Sequence, residues 1–130
     1  MIAGRVTPDL EVLVPIRLLG GSGAEREMDV GLDTGFTGYL VLPSEVLTAV
    51  DAQRVGSRMT RLGDDSRVPM DACLVTVLWH DEPRKVLALQ SEGRSMIGLS
   101  LLYGCTVALE VVDGGYVSIQ SPLHADNRGA

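Results

Sequence analysis

Asp33, Thr34 and Gly35 are the residues of this chain whose types and spacing could support chemistry. They lie between Leu32 and the apolar run 39–42, so a tight turn between two strands is predicted there. A carboxylate at the end of a strand can activate a water molecule as a general base. Gly35 can adopt backbone angles closed to other residues and bring its N–H close to that carboxylate, and the Thr34 hydroxyl can brace the loop.

One carboxylate is not sufficient for this chemistry. A lone carboxylate is a weak base at neutral pH, whereas two carboxylates about 3 Å apart share one proton, so that one serves as base and the other as acid. No other aspartate has a similar setting: Asp64 and Asp65 fall at a polar hairpin tip, and Asp113 precedes two glycines without a neighbouring hydroxyl. The second carboxylate is therefore expected from Asp33 of a second copy, across a two-fold axis.

The triplet alone does not establish catalysis. Aspartate is common in tight turns that have no chemical role. A three-residue string also occurs by chance in roughly a few per cent of chains of this size. The interpretation therefore depends on the sequence around the triplet.

The composition favours a small all-β fold. The chain has 130 residues, which corresponds to one domain. Glycine and β-branched residues are frequent, and long helical patterns are few. We expect one domain over residues 1–120 with one or two short helices, followed by a polar C-terminal tail, 121–130, that frays.

Alternating apolar residues and turn signals place the individual elements. Ser44 is expected to be the N-cap of a helix that runs to about Val50. Pro15 indicates a sheet edge or an irregularity within its strand. The polar link 63–66 joins two strands as a hairpin, and 81–83 forms another turn. Strands are predicted over 4–7, 10–19, 25–32, 38–42, 53–62, 68–79, 86–89, 107–112 and 116–119.

The charge and the apolar runs argue against several partners. The formal net charge of −6 weakly disfavours nucleic acid and anionic membranes. No apolar run approaches the length of a transmembrane helix. Arg5, Asp9 and Glu11 interrupt the apolar stretch that a signal peptide would need, so a cytoplasmic location is expected.

The cysteines and histidines give no pattern of a metal site. Cys73 and Cys105 each lie within an apolar run, which favours buried free thiols, although a disulfide stays open. His80 and His124 have no ligand-like spacing to either cysteine, and neither cysteine has an evident histidine partner. We expect no metal and no cofactor.

Two motifs carry a resemblance to a known family. Residues 32–43, which contain the Asp-Thr-Gly triplet, resemble the active-site segment of retropepsin-like aspartic proteases, and look closest to the small bacterial members. Residues 96–98 and the apolar residues that follow are similar to the apolar-apolar-Gly segment and helix of retroviral proteases. In that family this segment passes beneath the active-site loop. The two motifs in this order are more specific evidence than either motif alone, and the resemblance extends from the first strand to about Ile119.

The resemblance implies an all-β, retropepsin-like closed barrel of short, mostly antiparallel strands that forms a homodimer. Asp33 would be the catalytic carboxylate of each chain. Thr34 would hydrogen-bond across the two-fold axis, and Gly35 would donate its N–H toward the carboxylates. The function implied is an aspartic endopeptidase that hydrolyses peptide bonds in a peptide or protein substrate.

The resemblance also implies where the substrate binds. The hairpin tip would be the flap over the peptide, and residues near the triplet would form the floor. The implied substrate-binding residues are Gly63, Asp64, Asp65, Ser66, Phe36, Ile97 and Gly98.

Two departures from the family pattern keep an alternative open. Phe36 stands where viral enzymes usually carry a small residue. The acidic tip at Asp64 and Asp65 either makes the flap prefer basic peptides or is only a solvated turn. The alternative function is a catalytically inactive binding or assembly module with the same fold.

Overall fold

The computed structural model describes residues 1–121, which form ten strands and two short helices. The strands are β1 (Ile2–Val6), β2 (Val12–Leu19), β3 (Glu25–Leu32), β4 (Leu40–Leu42), β5 (Gln53–Arg61), β6 (Arg67–Trp79), β7 (Glu82–Gln90), β8 (Met96–Ile97), β9 (Thr106–Leu109) and β10 (Tyr116–Gln120). The helices are α1 (Ser44–Ala49) and α2 (Leu99–Leu102). Neither helix in this range is long and apolar enough to cross a membrane. Apart from Ser121, the predicted tail lies outside the described residues.

The strands form one sheet that closes on itself. Their order is β5-β6-β7-β4-β8-β3-β2-β1-β10-β9, and an additional pairing of β2 with β6 joins the inner strands into a ring. All pairings are antiparallel except β3 with β8 and β4 with β7. The prediction of an all-β fold of short, mostly antiparallel strands is confirmed.

Alternate residues of the strands fill the interior of the ring. In β2, Val14, Ile16 and Leu18 are buried while the residues between them face outward. Val77 of β6 and Ala88 of β7 are also fully buried. Each large apolar side chain buried in this way contributes roughly 1.5–3 kcal/mol to folding. The period-two pattern of the sequence therefore determines which face of each strand points inward.

Pro15 occupies a local gap in the pairing of β2. On one side it lies opposite Asp29 of β3. On the other side, β1 pairs only as far as Leu13 and β6 begins to pair at Arg17. Proline lacks an N–H to donate, so it fits where one neighbouring strand ends before the next begins. The predicted irregularity is present.

The start of α1 differs from the prediction. The helix begins at Ser44, its N-cap is Pro43, and no side chain caps it. The Ser44 hydroxyl donates to Oε1 of Glu92 at 2.9 Å, and its N–H donates to Oε2 at 3.1 Å. Ser44 is therefore the first residue of the helix, and a carboxylate distant in sequence satisfies its N–H.

The turn between β6 and β7 is tighter than predicted. His80 and Asp81 both have positive φ, 50° and 67°, and they form a two-residue connection. This conformation matches the right-handed twist of paired strands. Pro83 then lies inside β7, opposite Leu78, and not in the turn. The strand that was predicted from Val86 therefore begins at Glu82.

Candidate active site

The triplet follows directly from β3, and main-chain bonds hold it in place. The Asp33 N–H donates to the Ile97 carbonyl at 3.0 Å, and the Phe36 N–H donates to the Asp33 carbonyl at 3.2 Å. We call residues 33–38 the Asp33 loop. Because β8 pairs with both β3 and β4, it lies beneath the loop and fixes both of its ends.

The Asp33 carboxylate is oriented by its own loop. The Gly35 N–H donates to Asp33 Oδ1 at 2.8 Å. A Cβ at position 35 would lie 3.2 Å from that oxygen, closer than side chains usually pack. Hydrogen bonds to an ionised carboxylate are stronger than neutral ones. Gly35 thus permits the short approach that orients Asp33.

The outer face of the loop is open. Asp33 is partly buried, whereas Thr34 and Gly35 are exposed. Within residues 1–121 the Thr34 hydroxyl makes no hydrogen bond. A hydroxyl and a carboxylate therefore stand side by side at the surface of a single chain.

Ile97 and Gly98 lie beneath the loop and support it. Ile97 is fully buried. The N–H groups of Gly98, Leu99 and Ser100 donate to carbonyl oxygens of the loop and of Tyr39, at 3.1, 2.8 and 3.1 Å. These amides at the start of α2 have no partner within the helix, and the loop supplies their acceptors. Neither Ile97 nor Gly98 is among the residues that line the cleft above.

The contact is so close that it requires glycine. A Cβ on Gly98 would lie 2.5 Å from the carbonyl oxygens of Phe36 and Gly38. It would also lie 2.5 Å from Cδ2 of the Phe36 ring. The backbone of Gly98 is extended, so space and not φ determines the residue type here.

A cleft of about 1060 Å³ lies above the loop. Asp33, Gly35 and Phe36 line it from below, and Gly63 belongs to the β5–β6 hairpin that lines the other side. The hairpin contributes apolar side chains as well, and one of them, Met59, is 64% exposed. The Asp33 carboxylate therefore belongs to the lining of this cleft.

The acidic residues of the hairpin tip do not line the cleft. Asp64 Oδ1 accepts the Ser66 hydroxyl at 2.6 Å and the Ser66 N–H at 3.0 Å. These bonds lower the pKa of Asp64 below its ordinary value. Asp65 has a left-handed backbone, with φ of 67°. This geometry is that of a solvated turn, which was one of the two interpretations of the tip.

The sequence interpretation missed the basic residues of the cleft. Arg58, Arg61, Arg67 and Arg94 all line it. Three of them flank the predicted hairpin link 63–66, and this proximity was the signal available in the sequence.

One solved structure allows a comparison with this fold. No protein-family model and no curated protein matches this sequence. The crystal structure of a retropepsin-like aspartic protease from Rickettsia conorii is similar over 92% of this chain and 89% of that chain. The TM-score is 0.53 and the sequence identity is 14%. This chain has a retropepsin-like fold. The fold class predicted from the two motifs is confirmed, and at this identity the likeness extends to the fold alone.

A cysteine and a histidine meet in a second cleft, far in sequence from the triplet. Cys105 Sγ lies 3.8 Å from Nε2 of His80, so the expectation that neither cysteine has a histidine partner is wrong. The two residues line a cleft of about 610 Å³, which we call the His80 cleft. Cys73 and Cys105 are both free thiols, as the sequence favoured.

The surroundings of the His80 cleft favour the neutral form of both groups. Burial raises the pKa of the Cys105 thiol. Burial also lowers the pKa of His80, and the positive N-terminus adds to that effect. Because the thiolate is the reactive form of cysteine, this pair lacks the character of a nucleophile. Residues 1–121 contain no cluster of three or more side chains that could bind a metal.

Replacing Gly98 with alanine should destabilise the domain. The added methyl group must displace the loop or α2, which typically costs about 1–3 kcal/mol. Chemical denaturation of Gly98→Ala measures the loss. Gly21→Ala is the matched control, because a Cβ there meets nothing within 4 Å. Equal unfolding free energies for the two variants would contradict the packing described.

His80 should make folding stability depend on pH. Its folded pKa lies below 6.5, the ordinary value, so between the two values the unfolded chain binds a proton that the folded chain does not. The contribution of neutral His80 to the free energy of unfolding is fully present above pH 6.5, and it is lost as the pH falls through the folded pKa. Denaturation between about pH 8 and about pH 5 should show this loss. His80→Asn tolerates the positive φ and should show a smaller loss; an unchanged pH dependence would contradict the assignment.

Proposed function

We propose that this chain is one half of an aspartic endopeptidase, which hydrolyses peptide bonds as a homodimer. The observation that carries the proposal is the Asp33 carboxylate, held by the Gly35 N–H at the edge of a large cleft. The retropepsin-like fold supports it. The fold alone would not suffice, because function resides in the site.

The proposed reaction needs one proton shared by the two Asp33 side chains. The ionised carboxylate takes a proton from water, whose oxygen attacks the peptide carbonyl carbon. The protonated partner donates to the carbonyl oxygen and stabilises the charge that develops there. The proton taken from water then passes to the leaving nitrogen as the C–N bond breaks. The hydroxyl formed from the carbonyl oxygen returns its proton to the partner carboxylate as the C=O bond forms again, which restores the pair. The pair thus supplies both base and acid, and no cofactor enters these steps.

The exposed face of the Asp33 loop supports the dimer. Thr34 carries a hydroxyl without a partner among residues 1–121. Leu99, whose N–H donates a hydrogen bond to the Phe36 carbonyl of the loop, is 43% exposed. A two-fold contact at this face would cover Leu99, pair the two Thr34 side chains and bring the two Asp33 carboxylates together.

The substrate is proposed to bind as an extended peptide between the loop and the β5–β6 hairpin. Main-chain hydrogen bonds supply affinity in such complexes, and pockets for alternate side chains supply specificity. β5 is a terminal strand of the sheet, so one of its edges has no neighbouring strand within residues 1–121.

One observation favours the alternative of a non-catalytic binding module. The Phe36 ring packs over the loop glycine, because a Cβ on Gly38 would lie 2.4 Å from Phe36 Cζ. Phe36 also lines the cleft. A phenyl ring in the cleft lining leaves less room for a substrate side chain than the small residue that viral enzymes usually carry there.

Asp33→Asn should abolish cleavage. The amide can neither accept a proton from water nor share one with its partner, so the rate should fall by at least about a hundredfold. Mass spectrometry of a digested peptide library measures it, with Asp113→Asn as the matched control at an exposed turn. Equal cleavage by parent and Asp33→Asn would rule out the mechanism.

Thr34→Val should weaken the dimer without unfolding the domain. Two symmetric hydrogen bonds would be lost, which corresponds to about 1–3 kcal/mol of association free energy. Sedimentation equilibrium measures the dissociation constant. Thr48→Val on the exposed face of α1 is the control. A chain that stays monomeric at every concentration would contradict the proposed active form.

A further inference from the structure

The cleft above the Asp33 loop has a charge opposite to that of the whole molecule. Its lining includes four arginines and a single acidic residue, Asp33, which gives a formal charge of +3. The complete chain carries −6. Such a local field attracts ligands that the rest of the surface repels, because a cleft focuses the potential of its lining charges.

The arginines of the cleft have no acidic partner, whereas four of the five other arginines in residues 1–121 form an ion pair. All four ion pairs within residues 1–121 use arginines outside the cleft: Arg5–Asp29, Arg17–Glu25, Arg26–Glu45 and Arg54–Asp71. Arg58 donates only to the neighbouring Ser57 carbonyl at 3.1 Å. Arg61, Arg67 and Arg94 are exposed and unpaired in that range. Four guanidinium groups in one cleft are therefore free to bind an anion.

Two of these arginines face each other in the hairpin. In the register of β5 and β6, Arg61 lies directly opposite Arg67. Like charges at directly opposed positions destabilise a strand pair. The nearby Asp64 forms no ion pair with either arginine, and its Oδ1 accepts from Ser66. A bound anion between the two guanidinium groups would relieve this repulsion.

We propose that the cleft selects peptides that carry acidic side chains, aspartate or glutamate, near the bond to be cleaved. This inference rests on the proposed endopeptidase function and specifies its substrate class. Guanidinium groups bind carboxylates with two parallel hydrogen bonds, so they recognise these side chains by geometry and by charge. The preference is opposite to the basic peptides that the acidic tip first suggested.

Binding to the Asp33→Asn variant tests the inference without requiring cleavage. Fluorescence anisotropy compares a labelled peptide rich in glutamate with the same peptide carrying glutamine. We expect the acidic peptide to bind roughly tenfold more tightly, from a few exposed charge pairs. The difference should shrink as the ionic strength rises, because salt screens exposed charges. Equal affinities would overturn the inference.

Two double variants, both made in the Asp33→Asn background, distinguish the effect of the cleft arginines on binding from the effect of the protein's net charge. Arg61→Gln with Arg67→Gln should remove most of the preference for the acidic peptide. Arg84→Gln with Lys85→Gln removes the same amount of charge from β7, outside this cleft. This variant should keep the preference for the acidic peptide. If both double variants lose the preference equally, overall charge is the cause and the inference fails. It also fails if an oligonucleotide of equal charge displaces the acidic peptide as effectively as unlabelled acidic peptide does.

Cleavage by the parent chain distinguishes the two proposals. The ratio of kcat/KM for the acidic and glutamine peptides should match the binding preference. Equal kcat/KM values together with equal binding overturn the acidic selectivity and leave the endopeptidase in place. If neither peptide nor the library is cleaved while the arginine-dependent binding persists, the endopeptidase is overturned and the selectivity of the cleft is supported.

Discussion

The close backbone contact between the Asp33 loop and the segment 97–100 is the constraint on which the rest of the site depends. Main-chain bonds cross it in both directions, from Asp33 to Ile97 and from Leu99 to Phe36. The contact is possible only because Gly98 has no side chain. If α2 moved outward by the width of a methyl group, its first N–H groups would lose their acceptors in the loop, and the loop would lose the support that fixes Asp33. A steric condition at one glycine thus governs the placement of a carboxylate 65 positions earlier in the chain.

The strands that sequence reasoning recovered best are those with one buried face. β3 was predicted over 25–32 and has those bounds, because its apolar residues alternate up to the triplet. β7 was predicted too short: the segment 82–85 is exposed and polar, so no apolar pattern marks it as a strand. Its pairing with β6 follows from a turn whose two residues have positive φ. The N-cap prediction at Ser44 was wrong for a similar reason, since its partner Glu92 is remote in sequence.

The candidate site likewise contains features that a local sequence signal predicts and features that depend on residues remote in sequence. The Asp-Thr-Gly triplet is a local signal, and it was visible because carboxylate, hydroxyl and glycine are contiguous. The basic cleft is not local: Arg61 and Arg67 come together through the register of a hairpin, and Arg94 comes from a loop after β7. An exposed arginine has no periodic pattern, so each looks like ordinary surface until the sheet is assembled. The acidic tip attracted notice in the sequence, although its own turn already satisfies Asp64.

Two of the features assigned to function, the Thr34 hydroxyl and the arginines of the cleft, lack the partners that comparable groups have elsewhere in the fold. No buried polar side-chain atom in residues 1–121 lacks a hydrogen bond, and arginines elsewhere in that range form four ion pairs. In contrast, the Thr34 hydroxyl has no hydrogen-bond partner and the arginines of the cleft have no acidic partner within the same range. The arginines of the cleft add no ion pair to the fold, and the opposition of Arg61 to Arg67 costs stability. A second copy at the loop and an acidic peptide in the cleft would supply the missing partners. The proposed dimer and the proposed substrate thus follow from one physical argument.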